Sequence, residues 1–375
     1  MIEVRPRTIA LPLESDGPGG AESMLLQFAE ELRRRGHRVV PVNPASGCGW
    51  LRAQFLERGF EPEQFFLHRA IDPGTVSGLV RLFRKRQVDV VHSHEFTMAV
   101  YGAVAARWLG LPHVITMHGS QTMLQAARRR AALRLAFGLS RAVVACSAAT
   151  QEHLTKELAL APGRILSIPN GIAFRSGDRM NVRRELGIGD DEQLIVAVGS
   201  LVERKGHMVL LRALAQLDRE GAPRTWHVAI AGRGPNEGAL RAFVAEAGLA
   251  GRAHILGHRD DIPDLLAASD IFSMPSLWEG LPVALLEAMF ASKPVIASSC
   301  SGIPEAIESG THGLLVPPGD QGALAEALRQ VLGSPDLRGR LGVAARERAA
   351  ERYSVAAMVD AYEVLYGIRA VRASA

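Results

Sequence analysis

The sequence predicts an α/β protein of two doubly wound, Rossmann-like domains in tandem, closed by a C-terminal helical tail. Three observations carry this expectation. Short apolar runs alternate with stretches of helical spacing along most of the chain, which is the pattern of a parallel sheet covered on both faces. The alternation lapses near Pro169-Asn170-Gly171 and resumes at Leu194. The length, 375 residues, is long for one core and suits two.

Taken in order, Thr8–Leu13 reads as a strand, followed by a flexible turn at Asp16-Gly17-Pro18-Gly19-Gly20. Met24, Leu25, Phe28 and Leu32 then recur at helical spacing, and Arg38–Val42 is the next strand. Such a βαβ unit offers an anion site at the helix start, where Gly19 and Gly20 would let a ligand approach the backbone. A glycine turn also simply redirects a chain, and this one is not a GxGxxG fingerprint. Residues 44–75 show no clear period and read as loop with short helices. Val88–Ser93, Pro112–Met117, Arg141–Cys146 and Arg164–Ile168 read as strands. Helices are expected at 96–109 and 122–138, and Ser147 is placed to cap another.

The second half runs Leu194–Val198, Trp226–Ala231, His254–Leu256, Asp270–Met274, Pro294–Ala297 and Gly313–Val316 as strands. Helices are expected at 207–219, 236–247, 262–268, 320–332, 336–350 and 355–369, with one starting near Gly302. The resulting boundaries are 1–173, 174–352 and a tail, 353–375, expected to pack back on the first domain.

Composition narrows the function. Hydrophobic residues make up 47% and charged residues 22%, ordinary for a globular protein. Aromatics at 5% argue against a stacking platform for single-stranded nucleic acid. Three scattered cysteines suggest neither zinc nor a disulfide framework, and fit a reducing cytoplasm. No apolar run approaches the roughly 20 residues that cross a bilayer, and the N-terminus does not read as a signal peptide. Residues 1–173 hold 21 Lys and Arg against 14 Asp and Glu. This excess, with Arg128, Arg129, Arg130 and Arg134 on one helix, suits contact with an anionic membrane face. It also suits an ordinary arginine-rich surface.

The glycine turns and His118-Gly119 all fall after strands, where open α/β sheets hold ligands. Two domains facing each other through these edges would form a cleft. Arg204 and Lys205, in a glycine-bounded turn, suit a diphosphate. Glu279 and Glu287 stand eight residues apart around Gly280, Leu281 and Pro282. Pro282 suits a first helical turn, so Glu279 lies in a loop and Glu287 one to two turns into a helix. A carboxylate in an apolar helix needs a partner, and a polar ligand, a nearby arginine or solvent each fits. His118 fits donation to a ligand or a packed histidine equally. His92 and His94 read as structural. No Asp-x-Asp pair is present to hold a divalent cation, so no metal is expected.

Together Glu279-x7-Glu287, Arg204-Lys205-Gly206, Gly232-Arg233-Gly234-Pro235, Gly19-Gly20, His118-Gly119 and Pro169-Asn170-Gly171 resemble the retaining GT-B glycosyltransferases of family 4. The resemblance implies a transferase that takes a nucleotide-diphosphate sugar, UDP-linked first and GDP-linked second, without metal or other cofactor. It implies Lys205 and Arg204 on the leaving diphosphate, Glu279 and His118 at the sugar and Glu287 on the ribose. Gly280 and Leu281 would meet the sugar and phosphate, and Gly19 and Gly20 the phosphate or acceptor. The backbone of Gly232 to Pro235, with Gly234 between them, and of the turn at Gly257-His258-Arg259 would line the nucleoside. Many members carry arginine where Ser200 stands, and some carry it before the lysine, as Arg204 does here. The acceptor would be a hydroxyl of a sugar or lipid-linked sugar in polysaccharide or glycolipid synthesis. A nucleotide-sugar epimerase, a phosphorylase or a silent binding protein of the same fold are the rival readings.

Overall fold

The computed structural model describes residues 5–69, 71–119, 124, 126–221 and 225–369. The chain divides into two compact units, 1–171 with 355–375, and 172–354.

Unit 1 carries seven parallel strands: β1 (Thr8–Pro12), β2 (Arg38–Pro44), β3 (Glu63–Phe65), β4 (Val90–His94), β5 (His113–Met117), β6 (Ala142–Ala145) and β7 (Leu166–Ser167). Their spatial order is β3-β2-β1-β4-β5-β6-β7. β1 is therefore flanked by β2 and β4, with Ile9 opposite Val39 on one side and Val90 on the other. The helices between the strands are α1 (Gly20–Arg34), α2 (Trp50–Glu57), α3 (Pro73–Lys85), α4 (Glu95–Leu109), α5 (Ala127–Leu139) and α6 (Ala148–Glu157).

Two of these differ from expectation. α2 is a short helix within the stretch that shows no clear period, whereas α3, 13 residues long, starts at its end and fills residues to which no element was assigned. Asp72 caps it by accepting from Gly74 N–H, Pro73 starts it, and Leu79, Val80 and Phe83 bury its inner face. α5 is described from Ala127, and positions 120–123 and 125 of the expected loop and helix lie outside the described residues.

Unit 2 opens with α7 (Arg179–Leu186), in a stretch where no helix was expected. Its strands are β8 (Gln193–Val198), β9 (Trp226–Ala231), β10 (Ala253–Gly257), β11 (Ile271–Met274), β12 (Val295–Ser298) and β13 (Gly313–Val316). They order as β10-β9-β8-β11-β12-β13, all parallel. The helices are α8 (His207–Arg219), α9 (Glu237–Glu246), α10 (Ile262–Ala268), α11 (Val283–Phe290), α12 (Ile303–Ala306), α13 (Gln321–Gly333) and α14 (Pro335–Arg352). Its core joins Ile195, Val228 and Ile230 on the sheet to Leu211 and Leu214 of α8 and Leu328 of α13.

The last helix, α15 (Val355–Leu365), belongs to unit 1 and packs on α1. The contact is polar at its centre. Tyr362 and Tyr366 reach Thr116 and His92 at 2.7 and 2.6 Å. Glu363 is sealed from solvent and pairs with Arg35 and His37. A buried carboxylate is tolerated only with such partners, so the pairing fixes where α15 docks. His92 also bonds Thr116 at 2.7 Å, the packing role its position suggested.

Candidate functional site

In an open α/β sheet the strand order reverses at one place, and ligands bind beside it at the carboxyl ends of the strands. In unit 2 that place lies between β8 and β11. The loop after β8 runs from Gly199 to Gly206 and includes a short 3-10 turn over Glu203–Lys205. The loop after β11 runs from Pro275 to Pro282 and leads into α11. Leu277 N–H donates to the Arg204 carbonyl at 2.7 Å, tying the loops together. Gly206 has φ +67°, and a β-carbon there would lie 1.9 Å from the Pro275 carbonyl oxygen. Only glycine permits that approach.

The tie brings three predicted residues together. Glu279 is 4% exposed, and its Oε1 accepts from Lys205 Nζ at 2.5 Å and from Ser276 Oγ at 2.8 Å. The Arg204 guanidinium stands 3.7 Å from Oε2. Two cations against one carboxylate leave the cluster one positive charge in excess. Lys205 is held inside, whereas the Arg204 side chain is 49% exposed and reaches outward. His207, at the start of α8, was not singled out from sequence. Its Nε2 lies 3.3 Å from the Gly199 carbonyl oxygen, and burial pushes its pKa down to about 4, so the ring adds no charge. Burial likewise pushes the nearby Cys300 thiol up to about 11, which removes it as a nucleophile.

Pro282 takes the cap position of α11 rather than its first turn. The starts of α8, α9 and α11 receive no hydrogen bond from the side chain at their cap positions. Helix starts carry partial positive charge and unbonded N–H groups, so they add to the cation pair as anion-holding elements. Leu281 is buried, and the Gly280 carbonyl accepts from Gly302 N–H at 3.1 Å. Glu287 is the fifth residue of α11, between fully buried Leu286 and Ala288. Burial raises its carboxyl pKa to about 7, opposed in part by Arg175.

Other expected site residues also make contacts within the chain. A β-carbon on Gly232 would lie 1.9 Å from the Gly199 carbonyl oxygen, and one on Gly234 would lie 2.4 Å from that of Leu201. These glycines let the loops after β8 and β9 press together. Arg259 grips Glu185 and Asp261, and four of its five N–H groups are taken. Its side chain braces the turn after β10 against α7, and the expected nucleoside contact is one of its backbone.

In unit 1, a β-carbon on Gly19 would lie 2.4 Å from Glu22 Oε2. The start of α1, headed by Gly20, is thus approached by the Glu22 carboxyl. Glu14 does the same for α4 by accepting from Thr97 N–H. Asp16 does so for α2, accepting from Gly49 N–H at 2.5 Å. These carboxylates stand at the starts of α1, α2 and α4. His118 Nε2 lies 3.0 Å from His94 Nδ1, and the Asn170 side chain bonds the same ring. Burial pushes the His118 pKa down to about 4, so at neutral pH it is an uncharged hydrogen-bonding group. Among the described residues, no group of three or more His, Cys, Asp or Glu is placed to hold a metal ion.

Two Rossmann-like units, one carrying a cation pair and a buried glutamate at its switch point, define the GT-B class of glycosyltransferase. The chain belongs to the group 1, family 4 glycosyltransferases: residues 178–348 match the family model "Glycosyl transferases group 1" and residues 18–174 match "Glycosyltransferase Family 4". It is 28% identical over 297 residues to an alpha-D-kanosaminyltransferase of Streptomyces kanamyceticus, covering 74% of this chain and 76% of the relative. It is 27% identical over 311 residues to an Escherichia coli UDP-Gal:alpha-D-GlcNAc-diphosphoundecaprenol alpha-1,3-galactosyltransferase, covering 79% of each. The fold matches that of Anabaena HepE, solved with UDP-glucose, at a TM-score of 0.82 and 24% identity over 96% of this chain and all of that one.

Proposed function

We propose that this glycosyltransferase moves a sugar from a UDP-sugar to a hydroxyl of a sugar or sugar-like acceptor, with retention and without a metal ion. The observation that carries the reading is the Arg204–Lys205–Glu279 cluster at unit 2's switch point. Breaking the sugar–phosphate bond puts charge on the diphosphate, and preorganised cations with helix-start N–H groups stabilise it. This is work a divalent cation does elsewhere. Glu279 is engaged by Lys205 and Ser276, which disfavours it as a free nucleophile. Front-face attack follows, with the departing phosphate accepting the acceptor's proton. Glu287 takes the ribose hydroxyls. UDP is preferred because the galactosyltransferase relative is named for a UDP-sugar and HepE is solved with UDP-glucose.

The test is a thermal-shift panel of UDP, GDP and ADP with their sugars, run in excess EDTA. A ligand that binds only the folded state raises apparent stability by RT ln(1 + [L]/Kd). UDP is expected to give the largest shift and turnover to survive EDTA. Loss of turnover that added Mg²⁺ restores would sink the metal-independent reading.

The same reading extends to an anionic membrane surface. The helix α5 carries Arg128, Arg129, Arg130 and Arg134, and neighbouring α4 exposes Trp108 at 73%. Among the described residues no helix is long and apolar enough to cross a membrane, so contact would be peripheral. Flotation with phosphatidylglycerol vesicles is expected to retain the protein at low salt. Equal recovery with phosphatidylcholine vesicles would remove this part.

A further inference from the structure

Four aromatic rings adjoin one another through unit 1. Centroid to centroid, Tyr362 lies 4.7 Å from His92, His92 4.3 Å from His94, and His94 5.3 Å from His118. The row starts on α15 and ends one residue past β5, at the carboxyl end of the sheet where ligands bind. Tyr362, His92 and His94 are each 3% exposed or less, as are Tyr366 and Thr116 beside them, whereas His118 is half-buried.

Hydrogen bonds follow the same row. The Tyr366 hydroxyl lies 2.6 Å from His92 Nδ1, His92 Nε2 lies 2.7 Å from Thr116 Oγ1, and Thr116 Oγ1 lies 2.7 Å from the Tyr362 hydroxyl. Burial drives the Tyr366 phenol up and the His92 imidazole down, so both are neutral. Among the described residues His92 Nδ1 is the partner of the Tyr366 hydroxyl, so the phenol donates and the His92 hydrogen is fixed on Nε2. The ring so held is the wall against which His94 packs. His94 Nδ1 meets His118 Nε2 at 3.0 Å with the two planes 5° apart, as a hydrogen bond in the ring plane requires. Both rings are neutral at pH 7, so one donates, the other accepts, and the tautomer of His94 sets that of His118. α15 reaches His118 by a second route as well. Gly171 N–H donates to Met358 Sδ at 3.2 Å, and the neighbouring Asn170 side chain bonds the His118 ring. Apolar side chains at these positions would dock α15 without the cost of burying polar groups, so docking alone does not account for the row.

We propose that Tyr366 and Tyr362 of α15 are positioning residues for His118. They hold His92, His92 holds His94, and His94 fixes the tautomer and orientation in which His118 meets the sugar. This rests on the transferase reading above, with His118 at the sugar. The tyrosines touch no reacting atom, and no bond forms or breaks within the row.

The experiment replaces Tyr366 by phenylalanine, which keeps the ring and removes the hydroxyl. UDP release is followed with UDP-glucose, UDP-galactose and UDP-N-acetylglucosamine, water serving as acceptor. Tyr366→Phe is expected to lower kcat about tenfold, with KM within about twofold of wild type. In a His118→Ala background the same substitution is expected to change kcat by less than about twofold, because nothing remains to be positioned. A full tenfold loss in that background would make Tyr366 a purely structural residue and overturn the proposal, as would wild-type kcat in Tyr366→Phe. The second readout is the ring-nitrogen NMR spectrum of ¹⁵N-histidine-labelled protein at pH 7, with His118 identified by its absence from His118→Ala. Wild type is expected to show His118 in a single tautomer, and Tyr366→Phe to show it averaged between two. Unchanged His118 nitrogens in Tyr366→Phe, or an averaged His118 in wild type, would overturn the proposal. If Tyr366→Phe does not fold, Tyr362→Phe takes its place, and the wild-type spectrum decides without either. No UDP release from any of the three sugars by wild type would instead count against the transferase reading, and the nitrogen spectra would still decide the positioning.

Discussion

Replacing Lys205 by alanine is expected to lower kcat by about 10²–10³-fold, the usual cost of removing one preorganised charge from a transition state. It is also expected to destabilise the fold, which a purely catalytic residue would not do. The Glu279 side chain is 6% exposed and depends on Lys205 Nζ at 2.5 Å. Stripping the partner from a buried ion pair costs about 3–5 kcal/mol because a desolvated charge is left behind. Here Ser276 and Arg204 still face the carboxylate, so a loss near 3 kcal/mol, the lower end of that range, is expected. Adding Glu279→Gln to Lys205→Ala removes the stranded charge. The double variant should regain most of the stability and none of the turnover. Urea unfolding and single-turnover kinetics on the four proteins separate the two effects. Wild-type turnover in Lys205→Ala would overturn the site, and a double variant no more stable than the single would overturn the stranded-charge account.

This coupling shows which features were legible in the sequence. Strands of both sheets stood out because buried parallel strands are continuous apolar runs, and β9 and β13 occur at the expected residues. Arg204, Lys205 and Glu279 were nameable because each lies in the loop that follows a strand. Their mutual contact was not, since Lys205 and Glu279 lie 74 positions apart and meet only where two loops are pressed together through Gly206. Helix α3 was missed although Asp72-Pro73 is a start signal, because Gly74 and Gly78 dilute its apolar spacing. The carboxylates that reach helix starts in unit 1 were equally hidden. Glu14 meets α4 at Thr97, 83 positions on, and no local pattern records that. Local signals placed the elements, whereas contacts between loops decided which glycines and charges are free for a ligand.

Replacing Glu287 by glutamine is expected to make the protein more stable and a poorer enzyme. Burial in α11 raises the carboxyl from 4.5 to about 7, so the folded state holds this proton more tightly than the unfolded chain. Stability from this group is therefore present below about pH 4.5, declines as pH rises, and is gone above about pH 7. The shift corresponds to about 3 kcal/mol at most, since each pKa unit is about 1.4 kcal/mol. Glutamine is neutral and close in shape, so at pH 8 the variant should melt several degrees higher than wild type. The carboxylate that is costly at pH 8 is also the form that accepts two ribose hydroxyls, and an amide offers one acceptor oxygen in its place. UDP affinity of the wild type should accordingly fall as pH drops below about 7, while that of Glu287→Gln should be about tenfold weaker at pH 8 and flat with pH. Calorimetric titration of UDP from pH 6 to 8, with melting curves at each pH, tests both halves. A variant that melts lower at pH 8 would refute the strained-carboxylate account. One that melts higher yet binds UDP as tightly as wild type would leave the stability argument standing and remove Glu287 from the ribose site.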